Sequence, residues 1–221
     1  MPKDSNKNLS LEEILEINRM IYQIPDDRLY SVEDILYNHQ KFITNFAEEK
    51  NRGDLKQGRF NLMIALAWYL ALMNRYHIDL EPLLWKRYSY KCPYCLEIPC
   101  ICKEEEKSMA KKTGRPSSRK PENIWEWQLM IKKIYPDEKI DHSYTKLHLV
   151  FDRIDASLRL FMREKKKKQF HDIEIYSVDY FVMLLRIFNY YKCDIGMEHH
   201  KMFSRGCYVC HEVPCQCNYF E

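Results

Sequence analysis

An all-α fold, in which tandem helical repeats pack as a pseudo-dimeric bundle and each repeat ends in a small cysteine knuckle, is predicted by three observations. Apolar residues recur at helical spacing through both halves of the chain. Runs of alternating β-branched residues between turn signals are missing. One pattern, C-x2-C-x4-C-x-C, occurs twice: Cys92, Cys95, Cys100 and Cys102 in CPYCLEIPCIC, then Cys207, Cys210, Cys215 and Cys217 in CYVCHEVPCQC. Each cysteine stands 115 residues beyond its counterpart, and a proline, Pro99 or Pro214, precedes the third cysteine of both copies. Such repetition marks an internal duplication, read as a first repeat over 1–102, a basic linker over 103–120 and a second repeat over 121–221.

The elements follow in order. Ser10 and Glu13 have the spacing of a capping box, in which hydroxyl and carboxylate satisfy free amides at a helix start, and Ser31 with Asp34 is a weaker version. Beyond the Arg52-Gly53-Asp54 turn comes LMIALAWYLALM, Leu62 to Met73, apolar on every side and therefore expected to be buried on every side. A helical hairpin cannot enclose it alone, which predicts that the two halves pack against each other. In the second repeat, Ile124 of PENIWEWQLMIKKIYPDE is matched with Ile14, and Asn189 and Asp194 with Asn74 and Asp79. Leu147, Val150, Ile154, Leu158 and Phe161 form one amphipathic stripe, and Tyr180, Met183, Leu184, Ile187 and Tyr191 another. Each half reads as two long helices, preceded by a shorter one and followed by a short helix and a knuckle.

With 46% hydrophobic and 30% charged residues the chain can bury a core. Its five glycines form no phosphate-cradling string, and G-x-S-x-G, H-E-x-x-H and H-x-E with P-C-x-x-C are missing, so acyl transfer, zincin proteolysis and zinc deamination lack their residues. The longest apolar run is short of the roughly 18–20 residues that span a bilayer, and the N-terminus has no signal-peptide core. The expectation is a cytoplasmic protein with no membrane partner. The net charge of +3 demands no polyanion. Positive charge concentrates in 103–120, read as a solvated linker, and in Arg163 and Lys165–Lys168, read as the end of a helix.

Four thiolates at this spacing can close a tetrahedral shell, and zinc is the expected occupant of each cluster. A disulfide would require an oxidising compartment, and an iron–sulfur cluster is a third reading. A site saturated by four sulfurs is structural rather than catalytic. Cys193 reads as a small buried hydrophobe, the adjacent His199 and His200 cannot share a helix face, and His211 is surplus to a complete sulfur set.

The stretch 61–102 carries Ala67-Trp68, Asn74-Arg75, Ile78-Asp79-Leu80, Trp85-Lys86 and Tyr88 in order before the cysteines. It resembles the C-terminal part of the MazG-like, all-α nucleoside triphosphate pyrophosphohydrolases, and the second half resembles them more faintly. The resemblance implies a helical fold that cleaves a nucleoside triphosphate to monophosphate and pyrophosphate. Magnesium or manganese would be held by carboxylates in E-E-x-x-E and E-x-x-D motifs on facing helices. The first repeat departs from this pattern, with Lys41, Phe42 and Asn45 at the first motif and Asn61 and Ile64 at the second. The second repeat keeps Asp152, Asp155 and Asp179, with Tyr176 at the glutamate position and Asp172 seven residues before Asp179.

Three functions are therefore in view. The first is a zinc-containing module with degenerate sites that binds a nucleotide or a protein partner and has lost turnover. The second is a pyrophosphohydrolase with one surviving magnesium site on Asp152, Asp155 and Asp179. The third is a nucleic-acid-binding module using the linker KKTGRPSSRKP and the knuckles. Trp68 and Trp85 are assigned to packing.

Overall fold

A computed structural model describes residues 9–102, 119–136 and 140–217. The linker therefore lies outside the described residues except for Arg119 and Lys120. Eight helices and no strand are found among the described residues: α1 (Leu11–Leu29), α2 (Val32–Arg52), α3 (Leu55–Arg75), α4 (Leu80–Tyr88), α5 (Ile124–Ile134), α6 (Ile140–Glu164), α7 (Lys167–Tyr190) and α8 (Ile195–Phe203). Among the described residues no helix is long and apolar enough to cross a membrane.

The local chemistry sets the boundaries. Both capping boxes form: Ser10 Oγ accepts from the Glu13 amide at 3.0 Å while Glu13 accepts from the Ser10 amide at 2.9 Å, and Ser31 with Asp34 does the same. Gly53 ends α2 at φ +83°, a left-handed cap that glycine adopts without strain. Lys165 turns the chain between α6 and α7 at φ +51°. The lysine run therefore straddles a turn rather than ending a helix: Lys166 is the N-cap of α7 and offers no side-chain cap. Lys167 and Lys168 stand at the positive end of the helix dipole, where cations gain nothing.

The compact units do not follow the repeats. One unit comprises residues 1–78 with 193–221, and the other 79–192. The first thus assembles α1, α2 and α3 with α8 and the second knuckle, and the second assembles α4 and the first knuckle with α5, α6 and α7. Each repeat lends its C-terminal tail to the helices of the other. This exchange provides the cover that α3 needs. Leu62, Met63, Ile64, Ala65, Leu66, Tyr69, Leu70, Leu72 and Met73 are at most 2% exposed, because α3 packs on α2, α1 and the borrowed α8. In the second unit α7 is similarly enclosed by α6, α5 and the borrowed α4.

Pairing the repeats by structural role also changes their register. Asn123 caps α5 as Ser10 caps α1, accepting from the Glu126 amide at 2.9 Å, so Leu11 corresponds to Ile124. Asn74 donates to the Leu15 carbonyl at 3.2 Å, and Asn189 to the Gln128 carbonyl at 2.8 Å, in the same register. The match of Ile14 with Ile124 is therefore three residues out. Three residues is close to one helical turn, so either alignment keeps the apolar stripe on the same face.

Candidate metal centres and ligand cavity

Each knuckle draws its four sulfurs together, with all ligand atoms of a cluster within 4.8 Å of one another. The Cys92 and Cys102 sulfurs are 3.8 Å apart, Cys95 and Cys100 3.9 Å, and Cys92 and Cys100 3.4 Å. In the second knuckle Cys207 and Cys217 are 3.7 Å apart and Cys210 and Cys215 3.9 Å. Zinc–sulfur bonds of about 2.3 Å give a tetrahedron with edges of about 3.8 Å, which these separations match. Disulfides, at about 2.05 Å, do not fit, and the eight knuckle cysteines form none. His211 is exposed and outside the sulfur set, and Cys193 is buried, its thiol pushed up to about 12 chiefly by burial.

The knuckle backbone favours the thiolate at the second cysteine of each set, whereas burial and the neighbouring sulfurs raise the third and fourth. Against burial, which acts in the other direction, the amides of Glu97 and Ile101 draw the Cys95 thiol down to about 6. Those of Gln216 and Glu212 likewise draw Cys210 down to about 7. Gly206 stands at φ +106°, and a Cβ there would lie 2.8 Å from the carbonyl oxygens of His211 and Glu212. Gly206→Ala is therefore expected to weaken zinc retention by the second knuckle about tenfold or more, since the strain falls on the loop that carries the ligands. Competition with a chelator should resolve one fast-releasing and one unchanged zinc; two equal releases would refute the role of Gly206.

Each knuckle is docked through the amide of its third cysteine. Cys100 donates to the Ile134 carbonyl at 2.8 Å, an acceptor left open at the end of α5. Cys215 donates to the Ile21 carbonyl at 2.7 Å, in the middle of α1. That acceptor is open because Pro25, four residues on, has no N–H to give it. The next residue in each helix reaches the first cysteine. The Tyr135 hydroxyl donates to Cys92 Sγ at 3.6 Å, and the Tyr22 hydroxyl is directed at Cys207 without closing a full hydrogen bond. Such contacts orient the ligands from outside the metal shell.

The three aspartates named from the sequence are placed differently. Asp152 is exposed on α6, and Asp155 on the same helix accepts from Arg159 Nε with both oxygens at 3.0 Å. Asp179 on α7 accepts from Arg87 Nε at 2.6 Å and Nη2 at 2.8 Å, and from the Tyr88 hydroxyl at 2.7 Å. Among the described residues only the two cysteine sets gather three or more metal-capable groups. In the first repeat Lys41 is exposed, and Ile64 is buried in the core that Ile21 forms with Phe203, Cys207 and Cys215.

A feature the sequence did not signal is a cavity of about 360 Å³ within the first unit. Tyr22 and Asp26 line it from α1, Tyr30 from the extended residue that caps that helix, Ile64, Ala67, Trp68 and Ala71 from one face of α3, and Tyr208 with the ligand cysteines Cys207, Cys215 and Cys217 from the knuckle. Asp26 is 7% exposed, and burial pushes its carboxyl up to about 7. The spacing of Tyr22, Asp26 and Tyr30 at i, i+4 and i+8 was the legible part of this site, but without the facing alanines it reads as an ordinary helix face.

No family model matches this sequence, and no curated protein or solved structure matches it either.

Proposed function

We propose that the chain is a zinc-stapled binding module of MazG-like ancestry, which holds a small ligand in its first unit and does not cleave nucleoside triphosphates. The observation that carries this reading is the aromatic cavity bounded by α1, α3 and the second knuckle. Its volume lies within the range of small-molecule sites, about 300–1,000 Å³. Its lining holds no lysine or arginine, only the acidic groups of Asp26 and of the knuckle cysteines Cys207, Cys215 and Cys217, which disfavours phosphate. The zinc sites are structural in this reading, because four sulfurs leave no coordination position for a substrate.

The engagement of Asp179 supports the loss of turnover. A carboxylate that accepts two guanidinium bonds and a phenol bond has its lone pairs committed, and a divalent ion would have to displace a cation to reach it. Native protein given ribo- and deoxynucleoside triphosphates with magnesium or manganese is expected to release no more pyrophosphate than an Asp152→Ala/Asp155→Ala/Asp179→Ala control. Turnover that disappears in the control would instead make the chain a pyrophosphohydrolase with one working site.

A further inference from the structure

We propose that the cavity of the first unit binds a guanidinium group, stacked on Tyr22 and neutralised by Asp26. This inference rests on the reading of that cavity as a ligand site and names the chemistry of its ligand. It comes from comparing the two units in the register set by the helix caps and the knuckle contacts.

In the second unit the equivalent tyrosine is covered by the chain itself. Tyr135, the counterpart of Tyr22, carries the guanidinium of Arg186 over its ring, with the central carbon 4.2 Å from the ring centroid. Counting 115 residues back from Arg186 on α7 reaches Ala71 on α3. In the first unit, therefore, the aromatic face is kept while the side chain that would cover it is reduced to a methyl group. Both Tyr22 and Ala71 line the cavity of about 360 Å³. The geometry that holds a cation on a tyrosine is thus built twice, and one copy lacks its cation.

The remaining lining agrees in charge and shape. Asp26 brings a mostly buried carboxylate to the cavity wall. The nearby Arg75 is already committed: its Nε donates to Asp27 at 3.1 Å, Nη1 to the Tyr30 carbonyl at 2.9 Å and Nη2 to the Asp26 backbone carbonyl at 2.6 Å. Tyr30 and Trp68 meet edge to face with centroids 5.1 Å apart. With Tyr208 they complete the aromatic lining. A planar, weakly hydrated cation with an alkyl tail suits such walls better than a compact ammonium does.

Calorimetric titration of agmatine into the zinc-loaded full-length protein in mildly alkaline buffer tests this, with putrescine as the matched diamine lacking the guanidinium. Saturable agmatine binding is expected, with putrescine weaker by about tenfold or more. Asp26→Asn should weaken agmatine by about tenfold or more. Ala71→Arg, which writes the second unit's residue into the first, should abolish it while both zincs and the helical content are retained. Equal binding of agmatine and putrescine, no saturable agmatine binding, or agmatine binding that survives Ala71→Arg would each overturn the guanidinium site. If indole or a nucleoside binds natively and is lost in Ala71→Arg while agmatine fails, the cavity remains a ligand site for another chemistry. If Ala71→Arg affects no ligand, the reading of the cavity as a binding site falls as well.

Discussion

Replacing the cysteines of the second knuckle is expected to unfold the first helices of the chain and to leave α7 protected. In Cys207→Ser/Cys210→Ser, bound zinc should fall from two ions per chain to one. Amide exchange should then accelerate across α1 and α3 but not across the buried stretch of α7 from Ile173 to Phe188. The reason is the exchange of tails. Phe203, Cys207 and Cys215 share a core with Ile21 and Ile64, and Cys215 is tied to the Ile21 carbonyl, so the last segment of the chain completes the unit that the first segments begin. Structural zinc in small knuckles contributes about 10–16 kcal/mol to folding at neutral pH, comparable to or larger than the whole stability of an ordinary domain, about 5–15 kcal/mol. The mirror variant, Cys92→Ser/Cys95→Ser, should loosen α5 and α7 through Cys92, Tyr135 and Ile134. Exchange that follows the repeats, with α5 and α7 loosened by loss of the second knuckle, would refute this assembly of the units.

The sequence disclosed what depends on local chemistry and concealed what depends on which copy packs with which. Capping boxes, the turn at Gly53 and the two sulfur sets are each specified within a dozen residues, and each forms where the sequence places it. The exchange could not be read because both repeats carry the same docking parts. An open carbonyl and a tyrosine follow one another at Ile21-Tyr22 and at Ile134-Tyr135, and either helix accepts a knuckle. The three-residue slip in register was hidden for a related reason, since a shift of nearly one turn preserves the apolar face. The lysine run was misplaced because charge alone does not say which side of a turn it occupies. The cavity was invisible until Ala71 could be compared with Arg186, because a small residue on an apolar helix carries no signal of the space it leaves.

The contrast between the units extends to Asp179, where it predicts a second large effect. The counterparts of Arg87, Tyr88 and Asp179 in the first unit are Met202, Phe203 and Ile64, an apolar set packed beside the second knuckle. The side chains of Arg87 and Asp179 are only 16% and 14% exposed, so the pair in the second unit is largely withdrawn from water. Arg87→Met alone is expected to destabilise the zinc-loaded protein by about 3–5 kcal/mol in urea unfolding, because it leaves the Asp179 carboxylate buried with one phenol for a partner. Arg87→Met/Tyr88→Phe/Asp179→Ile, which transplants the first unit's solution, should recover to within about 1 kcal/mol of the native chain or exceed it, since no unpaired charge or hydroxyl remains. A triple variant as unstable as the single one would mean that the charged pair is the only arrangement this site accepts. Recovery would mean that the pair is dispensable to the fold, and that the charges of Arg87 and Asp179 add no net stability over the apolar set.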